Sequence, residues 1–355
     1  MKKIARSLTE QEARVVGLLL EDSSGGERER LRRWGLPRST YHHIRRRVYA
    51  QGWVHHRYIP DPRLFGLPWI SFLLVRPFAD RRGALAEVLT RDPRAVHVVI
   101  GPNLVFSIHW EASEASAGRR WALIEREGWA DGGVQLTVEL SARSVPVYFD
   151  YEGMWAHLTG RPGTSGYPRA LVGGPASPGT SAPGPLTPHQ RWAVRYLLDR
   201  VDRPSARTDP ASPGGPFGLP FSVRRLLEQG WISHRSILSP SSVPPYQGRT
   251  ADRSYFVAGT PRPGAHPEQL FQQLAGECRV YPFLFVVGPD RWLIGAAGGA
   301  QEGAAPAAPR RPVLPTIGGA CQGIQIFEAD GASFLPQVNH RYDRLLSEAA
   351  SEPHP

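Results

Sequence analysis

Residues Leu31–Gly66 read LRRWGLPRSTYHHIRRRVYAQGWVHHRYIPDPRLFG. The stretch predicts the end of a short helix, a turn at Gly35-Leu36, a longer basic helix and then a two-stranded hairpin. A helix pair joined by a tight, Gly-containing turn is the sequence form of a helix-turn-helix, whose second helix enters the DNA major groove. Tyr41, Ile44 and Val48 recur three and four apart, the spacing of a buried helix face. Arg38, Ser39, His42, His43, Arg45, Arg46 and Arg47 fill most of the other positions. A charge run is often only a solvated face, but this one sits on the second helix of a turn motif.

The chain on either side completes a small domain. Ser7 or Thr9, with acidic residues close behind, caps the first helix. Leu8, Val15, Leu18 and Leu19 form its apolar stripe, and Ser23-Ser24-Gly25-Gly26 ends it. Glu27–Trp34 is the second helix, Pro37 suits the first turn of the third, and Gly52 stops that helix. Trp53–Ile59 alternates as a wing strand should, and Asp61-Pro62-Arg63 turns out of it. Residues 1–66 thus read as a winged helix-turn-helix.

From Leu67 the pattern changes. Ile70–Val75 predicts a strand, Asp80–Thr90 a helix and Ala95–Ile100 a second strand. Gly101-Pro102-Asn103 predicts a tight turn into a third strand, Leu104–Trp110. Ser113–Glu127 is a helix and Val134–Leu140 a fourth strand. The order β-α-β-β-α-β is the ferredoxin-like split motif, assigned to 67–159. One face of such a sheet carries helices, and the other is left apolar and in need of a partner.

Residues 160–185 are rich in Gly, Pro and Ser, a linker by composition. Beyond them the pattern restarts. Leu186-Thr187-Pro188-His189-Gln190 echoes Leu8-Thr9-Glu10-Gln11-Glu12, and Gly218-Leu219-Pro220 echoes Gly35-Leu36-Pro37. Gln229-Gly230-Trp231-Ile232-Ser233-His234-Arg235 echoes Gln51-Gly52-Trp53-Val54-His55-His56-Arg57. Gly288-Pro289-Asp290 then matches Gly101-Pro102-Asn103, between the strand-like runs Phe283–Val287 and Trp292–Ala296. The expectation is an α+β chain of two tandem units, each a winged helix-turn-helix plus a ferredoxin-like (βαββαβ) domain. The second copy has a degenerate winged helix at 186–245 and a ferredoxin-like domain at 246–346. Between the matching glycines its reading helix is five residues shorter, more than one turn. The Pro/Gly-rich run Pro204–Pro216 replaces most of the helix before it, and Gly298–Pro312 reads as an interrupting loop.

Composition bounds the function. The chain has 355 residues, 41% of them hydrophobic, enough for two to four cores. No apolar run reaches the roughly 18–20 residues of a membrane span, and no signal-peptide core follows the basic start, so a cytoplasmic location is expected. Cys278 and Cys321 form neither a disulfide framework nor a metal-spaced pair. Arginine supplies nearly all the positive charge, Lys2 and Lys3 being the only lysines, so clustering says more than total. Residues 1–65 hold 14 Lys and Arg against 7 Asp and Glu, most of the chain's net +10. A basic end is the footprint of a polyanion binder.

These motifs together resemble the Lrp/AsnC family of prokaryotic transcription regulators. Leu8-Thr9, Gly35-Leu36, Arg46-Arg47-Val48, Gln51-Gly52-Trp53-Val54 and the exit Asp61-Pro62-Arg63-Leu64-Phe65-Gly66-Leu67-Pro68 carry the resemblance, well over 7–145 and loosely over 186–345. It implies double-stranded DNA as partner, ferredoxin-like sheets paired face to face, and amino-acid sensing at that interface. The family carries one such unit per chain. Two units here imply a pseudo-dimer within one chain, or a homodimer or higher oligomer through the sheets. The family's ligand loop often places Asp soon after Gly. Here it is Gly101-Pro102-Asn103 in the first unit and Gly288-Pro289-Asp290 in the second, making Gly101, Asn103, Gly288 and Asp290 the candidate ligand positions.

The candidate DNA-binding residues are Arg38, Ser39, Thr40, His42, His43, Arg45, Arg46 and Arg47 on the helix and His56 and Arg57 on the wing. Arg38 and Arg45 suit bidentate guanine contacts, and Ser39 and Thr40 suit phosphate. Adjacent histidines on a helix point about 100° apart, so His42-His43 does not hold one metal ion, and no metal or cofactor is expected. Nothing matches a nucleotide loop or a nucleophile elbow. An enzymatic alternative is a sirohaem-decarboxylase-like protein, built on the same fold, whose tetrapyrrole carboxylates would be met by His and Arg. His97 and His109, on the sheet strands, are its candidate residues. An effector-free architectural protein is a third reading.

Overall fold

The computed structural model describes residues 7–21, 27–140, 147–149, 151–159, 186–199, 221–229, 231–239, 242–244, 246, 249–276, 280–288, 290–301, 316–330, 335–338, 341–342 and 344–345. Helices α1 (Glu10–Leu20), α2 (Glu27–Arg33) and α3 (Arg38–Ala50) come first, then strand β1 (Val54–Pro60) and a 3-10 turn at Pro62–Phe65. Next come β2 (Trp69–Pro77), α4 (Arg82–Arg91), β3 (Ala95–Ile100), β4 (Val105–Glu111), α5 (Glu114–Arg126) and β5 (Ala130–Glu139). Then follow β6 (Val147–Phe149), α6 (Tyr151–Thr159), α7 (Pro188–Asp199), α8 (Phe221–Glu228), β7 (Ile232–Leu238) and β8 (Arg249–Pro261). The chain closes with α9 (Pro267–Gly276), β9 (Val280–Val287), β10 (Trp292–Gln301), β11 (Cys321–Asp330) and β12 (Leu335–Val338). The fold is α+β with antiparallel sheets. The stretches 160–185 and 204–216 lie outside the described residues.

The helix-turn-helix forms as the spacing predicts. Thr9 caps α1 through a capping box: its hydroxyl accepts from the Glu12 backbone N–H, and the Glu12 carboxylate accepts from the Thr9 N–H at 2.8 Å. Gly35, at φ +63°, turns the chain between α2 and α3 where a side chain would be strained. Tyr41, Ile44 and Val48 bury the inner face of α3 against Val15, Leu18 and Leu31. No helix among the described residues is long and apolar enough to cross a membrane.

The expected hairpin is absent. Asp61 caps the 3-10 turn instead, its carboxylate accepting from the Arg63 N–H at 2.9 Å and from the Arg63 side chain. The partner of β1 is β7, antiparallel, in a register centred on Arg57 opposite Arg235. Local sequence offers a strand but not its mate, and the mate lies some 180 residues away in a strand of matching apolar pattern. The run expected as a loop from Gly298 begins as strand, since β10 continues to Gln301; residues 302–312 lie outside the described ones.

Two five-stranded sheets form the body, in the orders β12-β3-β4-β2-β5 and β11-β8-β10-β9-β6. Each contains four strands consecutive in the chain, ordered β3-β4-β2-β5 and β11-β8-β10-β9, plus an edge strand from elsewhere. β6, following β5, pairs with β9 of the other sheet, and β12, from the C-terminal end, pairs with β3. Alternation along each strand divides the residues between two faces. Ile70, Phe72, Leu74, Phe106, Ile108 and Trp110 share one core with Phe256, Ala258, Leu284, Val286, Leu293 and Phe327 of the second sheet. Phe106 and Phe256 stack at its centre, centroids 4.7 Å apart. The opposite faces pack on helices, Leu73, Val75 and Val105 on α4 and α5, and Val257 and Phe285 on α9.

Candidate nucleic-acid interface

The ten positions expected to meet DNA fall into two groups. On α3, Arg38, Ser39, His43 and Arg46 are exposed, with Ser39, His43 and Arg46 on one face at helical spacing. The face opposite is the buried Tyr41–Ile44–Val48 stripe, and no acidic residue lies on the helix. Thr40 is partly buried. His42 and Arg45 sit beside α2, each 3.7 Å from the Glu27 carboxylate, and Arg38 is 3.5 Å from it. The Arg45 guanidinium also lies 5.8 Å from the ring centroids of both Tyr41 and Tyr49.

The remaining candidates are bound into the structure. Arg47 Nη2 meets Glu12 Oε1 at 2.6 Å, and Glu12 is 1% exposed, so this pair ties α3 to α1. His56 hydrogen-bonds Ser236 of β7 through Nδ1 at 2.9 Å and the Tyr49 hydroxyl through Nε2. Arg57 is buried at the centre of the β1–β7 ribbon. Sequence alone could not separate Arg46 from Arg47, which are neighbours on one helix but point to solvent and to α1.

The loop candidates occupy two like turns. Gly101 N–H donates to the Leu104 carbonyl at 2.7 Å, and Gly288 N–H to that of Arg291 at 3.0 Å. Asn103 and Asp290 are exposed at the tips. Gly288 is buried where the turn crosses β5, and a Cβ there would come within 2.7 Å of Leu136 Cδ1 and 2.8 Å of the Arg291 carbonyl oxygen. Packing alone therefore requires glycine at that position. Arg82 of α4 donates to the Pro102 carbonyl at 3.1 Å, fixing the other turn.

His97 and His109 lie on opposite faces of the first sheet. His97 keeps some exposed surface but is densely surrounded by protein, its ring 5.9 Å from Phe106, and burial pushes its pKa down to about 4. His109, fully buried on the helix side, belongs to a polar cluster that sequence reasoning missed. Its Nε2 hydrogen-bonds Ser107 at 2.9 Å, and its Nδ1 lies 3.2 Å from Asp92, near enough for charge but off the line of a good hydrogen bond. Arg120 of α5 donates to Asp92 at 2.6 Å and to Glu111, which also accepts from Ser71 at 3.1 Å and Ser116 at 2.6 Å. Burial and the Arg120 charge lower the His109 pKa against the opposing pull of Asp92 and Glu111. Burial would raise the Asp92 carboxyl, but His109, Arg120 and the Arg94 N–H hold it well below the carboxylate range. Among the described residues no group of His, Cys, Asp and Glu could hold a metal ion.

Among solved structures the chain is similar to the siroheme decarboxylase NirDL in co-complex with an iron-uroporphyrin III analogue. The TM-score is 0.50 at 14% identity, over 96% of this chain and 99% of that one. It is also similar to E. coli AsnC, with a TM-score of 0.30 at 14% identity over 38% of this chain and 93% of that one. An AsnC family transcriptional regulator from Agrobacterium tumefaciens gives a TM-score of 0.29 at 12% identity, over 37% of this chain and 90% of that one. No family model matches the sequence, and no curated protein matches it. In fold, the chain is similar to the siroheme decarboxylase chain along nearly its whole length, an α+β architecture of antiparallel sheets.

Proposed function

We propose that this chain is a sequence-specific, DNA-binding transcriptional regulator of Lrp/AsnC type that reads double-stranded DNA through α3. The observation that carries the reading is the outer face of α3. Ser39, His43 and Arg46 stand exposed at the spacing of one helical face, Arg38 stands at its first turn, and the helix carries no acid. In this reading Arg46 would meet a base edge and Ser39 a phosphate, and Arg38, expected above to meet guanine, would instead meet phosphate from the helix's first turn. Arg47, His56 and Arg57 would act by holding α3 in place.

The rest of the reading is a tandem duplication, with units at 1–66 plus 67–159 and at 186–245 plus 246–346. Two observations support it: both sheets have the same strand order, and Arg57 pairs with Arg235, its echo in the repeated motif. The paired sheets would then be an internal counterpart of the family's dimer, with a ligand near Asp290 as the sensing position. One reader per chain means that a palindromic operator would take two chains.

The test is fluorescence anisotropy on sites selected from random duplex by the protein itself. Arg46→Ala should weaken binding by about 1–3 kcal/mol and relax the base preference at one position. Arg38→Ala should weaken all sequences alike and lower the salt slope. Failure to enrich any sequence, or binding unchanged when Arg38→Ala and Arg46→Ala are combined, would refute the reading.

A second reading, a tetrapyrrole enzyme, is favoured by the whole-length fold likeness to a siroheme decarboxylase. Fold alone does not fix function, and His109 is engaged with Asp92 and Ser107 beneath the helices. A Soret band on adding an iron tetrapyrrole to the purified chain, lost in His97→Ala, would favour this reading instead.

A further inference from the structure

Glu27 stands in the first turn of α2 with its carboxylate facing three side chains of α3. Oε1 is 3.5 Å from Arg38 Nε and 3.7 Å from His42 Nε2, and Oε2 is 3.7 Å from Arg45 Nη1. All three are longer than a good N–H···O bond, so charge attraction rather than hydrogen bonding holds the carboxylate there. Arg38 Nε also donates to His42 Nε2 at 3.3 Å, which makes that imidazole an acceptor and leaves the two guanidiniums as the charges. The contrast is Glu12 of α1, buried and only 2.6 Å from Arg47 of α3, a pair built to stay. Glu27 keeps 24% of its side chain exposed, and Arg38 keeps 76%.

We infer that Arg38 and Arg45 form a site for one DNA phosphodiester, and that the Glu27 carboxylate occupies it in the free protein as an internal competitor. The inference rests on the DNA-binding reading and says how that surface is regulated. A phosphodiester, like a carboxylate, presents two oxygens sharing one negative charge, so the same two guanidiniums accept either. Arg45 is held in position by the Tyr41 and Tyr49 rings, so the site stands formed before DNA arrives. Leaving it costs Glu27 only long, partly solvated contacts, which are weak. A phosphate there would make shorter, charge-assisted bonds. Because every duplex presents phosphates, the competitor lowers affinity for all sequences alike and leaves the base contacts of Arg46 and His43 to decide where the protein stays.

The salt dependence is diagnostic. In the wild type the phosphate gives up condensed cations, while the displaced Glu27 carboxylate takes up cations and offsets part of that release. Without that carboxylate the release is uncompensated, and the dependence on salt steepens. The full chain, Glu27→Gln and Glu27→Ala are titrated with a random-sequence duplex between about 50 and 200 mM KCl, with circular dichroism melts to confirm folding. Glu27→Gln should bind about threefold to tenfold tighter at the low-salt end, with a log–log slope steeper by about one ion. Glu27→Ala should do the same, which keeps the test open if the amide disturbs α2. Adding Arg38→Ala should abolish the gain. Wild-type binding with no gain in either Glu27 variant, or a gain that survives Arg38→Ala, would overturn the competitor while leaving DNA binding intact. No duplex binding by any of the proteins would overturn both.

Discussion

Glu111 and His109 follow one another on the helix-facing side of β4, where their sequence pattern points the wrong way. In Val105-Phe106-Ser107-Ile108-His109-Trp110-Glu111 the apolar residues alternate with Ser107, His109 and Glu111, which reads as a half-exposed strand. Both faces are in fact covered. Arg120 on α5 and Asp92 just after α4 supply the partners, and the pairing could not be seen because a charged residue on or beside a helix looks solvent-facing. The cluster makes stability depend on pH. His109 and His97 both have folded pKa values below the unfolded value of about 6.5, so the unfolded state binds more protons in the interval between. Their contribution is complete above about 6.5 and is lost as pH falls toward the folded values. Urea unfolding should therefore show stability falling from about pH 6.5 toward 4, by up to about 1.4 kcal/mol per pH unit for His97. A His97→Phe variant should flatten that slope; an unchanged slope would remove His97 as its source. Asp92, held low, adds a further loss below about pH 4, where the unfolded carboxyl takes its proton.

At the scale of elements, what the sequence disclosed was set by range. The helices α1, α2 and α3 were legible because capping, the Gly35 turn and the Tyr41–Ile44–Val48 spacing are all local. The partner of β1 was not, because a strand's periodicity says which face is buried but not which strand lies alongside. Strands β6 and β12 are too short to show a period, and α6 escaped notice after the fourth sheet strand. Yet α6 matters to the reading unit. Trp155 is 3% exposed, donates from its indole to the Ala13 carbonyl at 3.0 Å, and converges with Trp34 on Gly17 of α1. A Cβ at Gly17 would come within 2.5 Å of Trp34, so the absence of a side chain there lets both indoles close over α1. Trp155→Ala should cost about 3–5 kcal/mol. Faster amide exchange should follow in α1 and α3, since those helices share the core the indole fills. Unchanged exchange in α1 would mean that α6 merely lies on the surface.

Over the whole molecule the sheets' apolar faces foretold a sheet-to-sheet core, and the structure adds the means by which the halves hold each other. Among the described residues three exchanges cross between them: β1 with β7, β6 with β9, and β12 with β3. The C-terminal segment reinforces the last, with Tyr342 buried against Trp110 and Arg344 donating to the Thr90 carbonyl at 2.7 Å. Arg76 of β2 reaches across to the Ile326 carbonyl at 2.8 Å and lies over Phe327. Each half alone would expose an apolar sheet face and the unpaired edges of β3 or β9, the features that drive association and aggregation. The covalent connection through 160–185 therefore contributes proximity, while the strand exchanges and the shared core contribute the attachment. A protease site inserted within 160–185 and then cleaved should leave one species of unchanged mass on size-exclusion with light scattering. Its two fragments should separate only in denaturant, and at a midpoint below that of the uncut chain, because the tether's effective concentration is gone. Either fragment expressed alone should be insoluble or should self-associate through its open sheet. Fragments that part on native cleavage, or a soluble monomeric first half, would mean that the halves are two domains merely resting together.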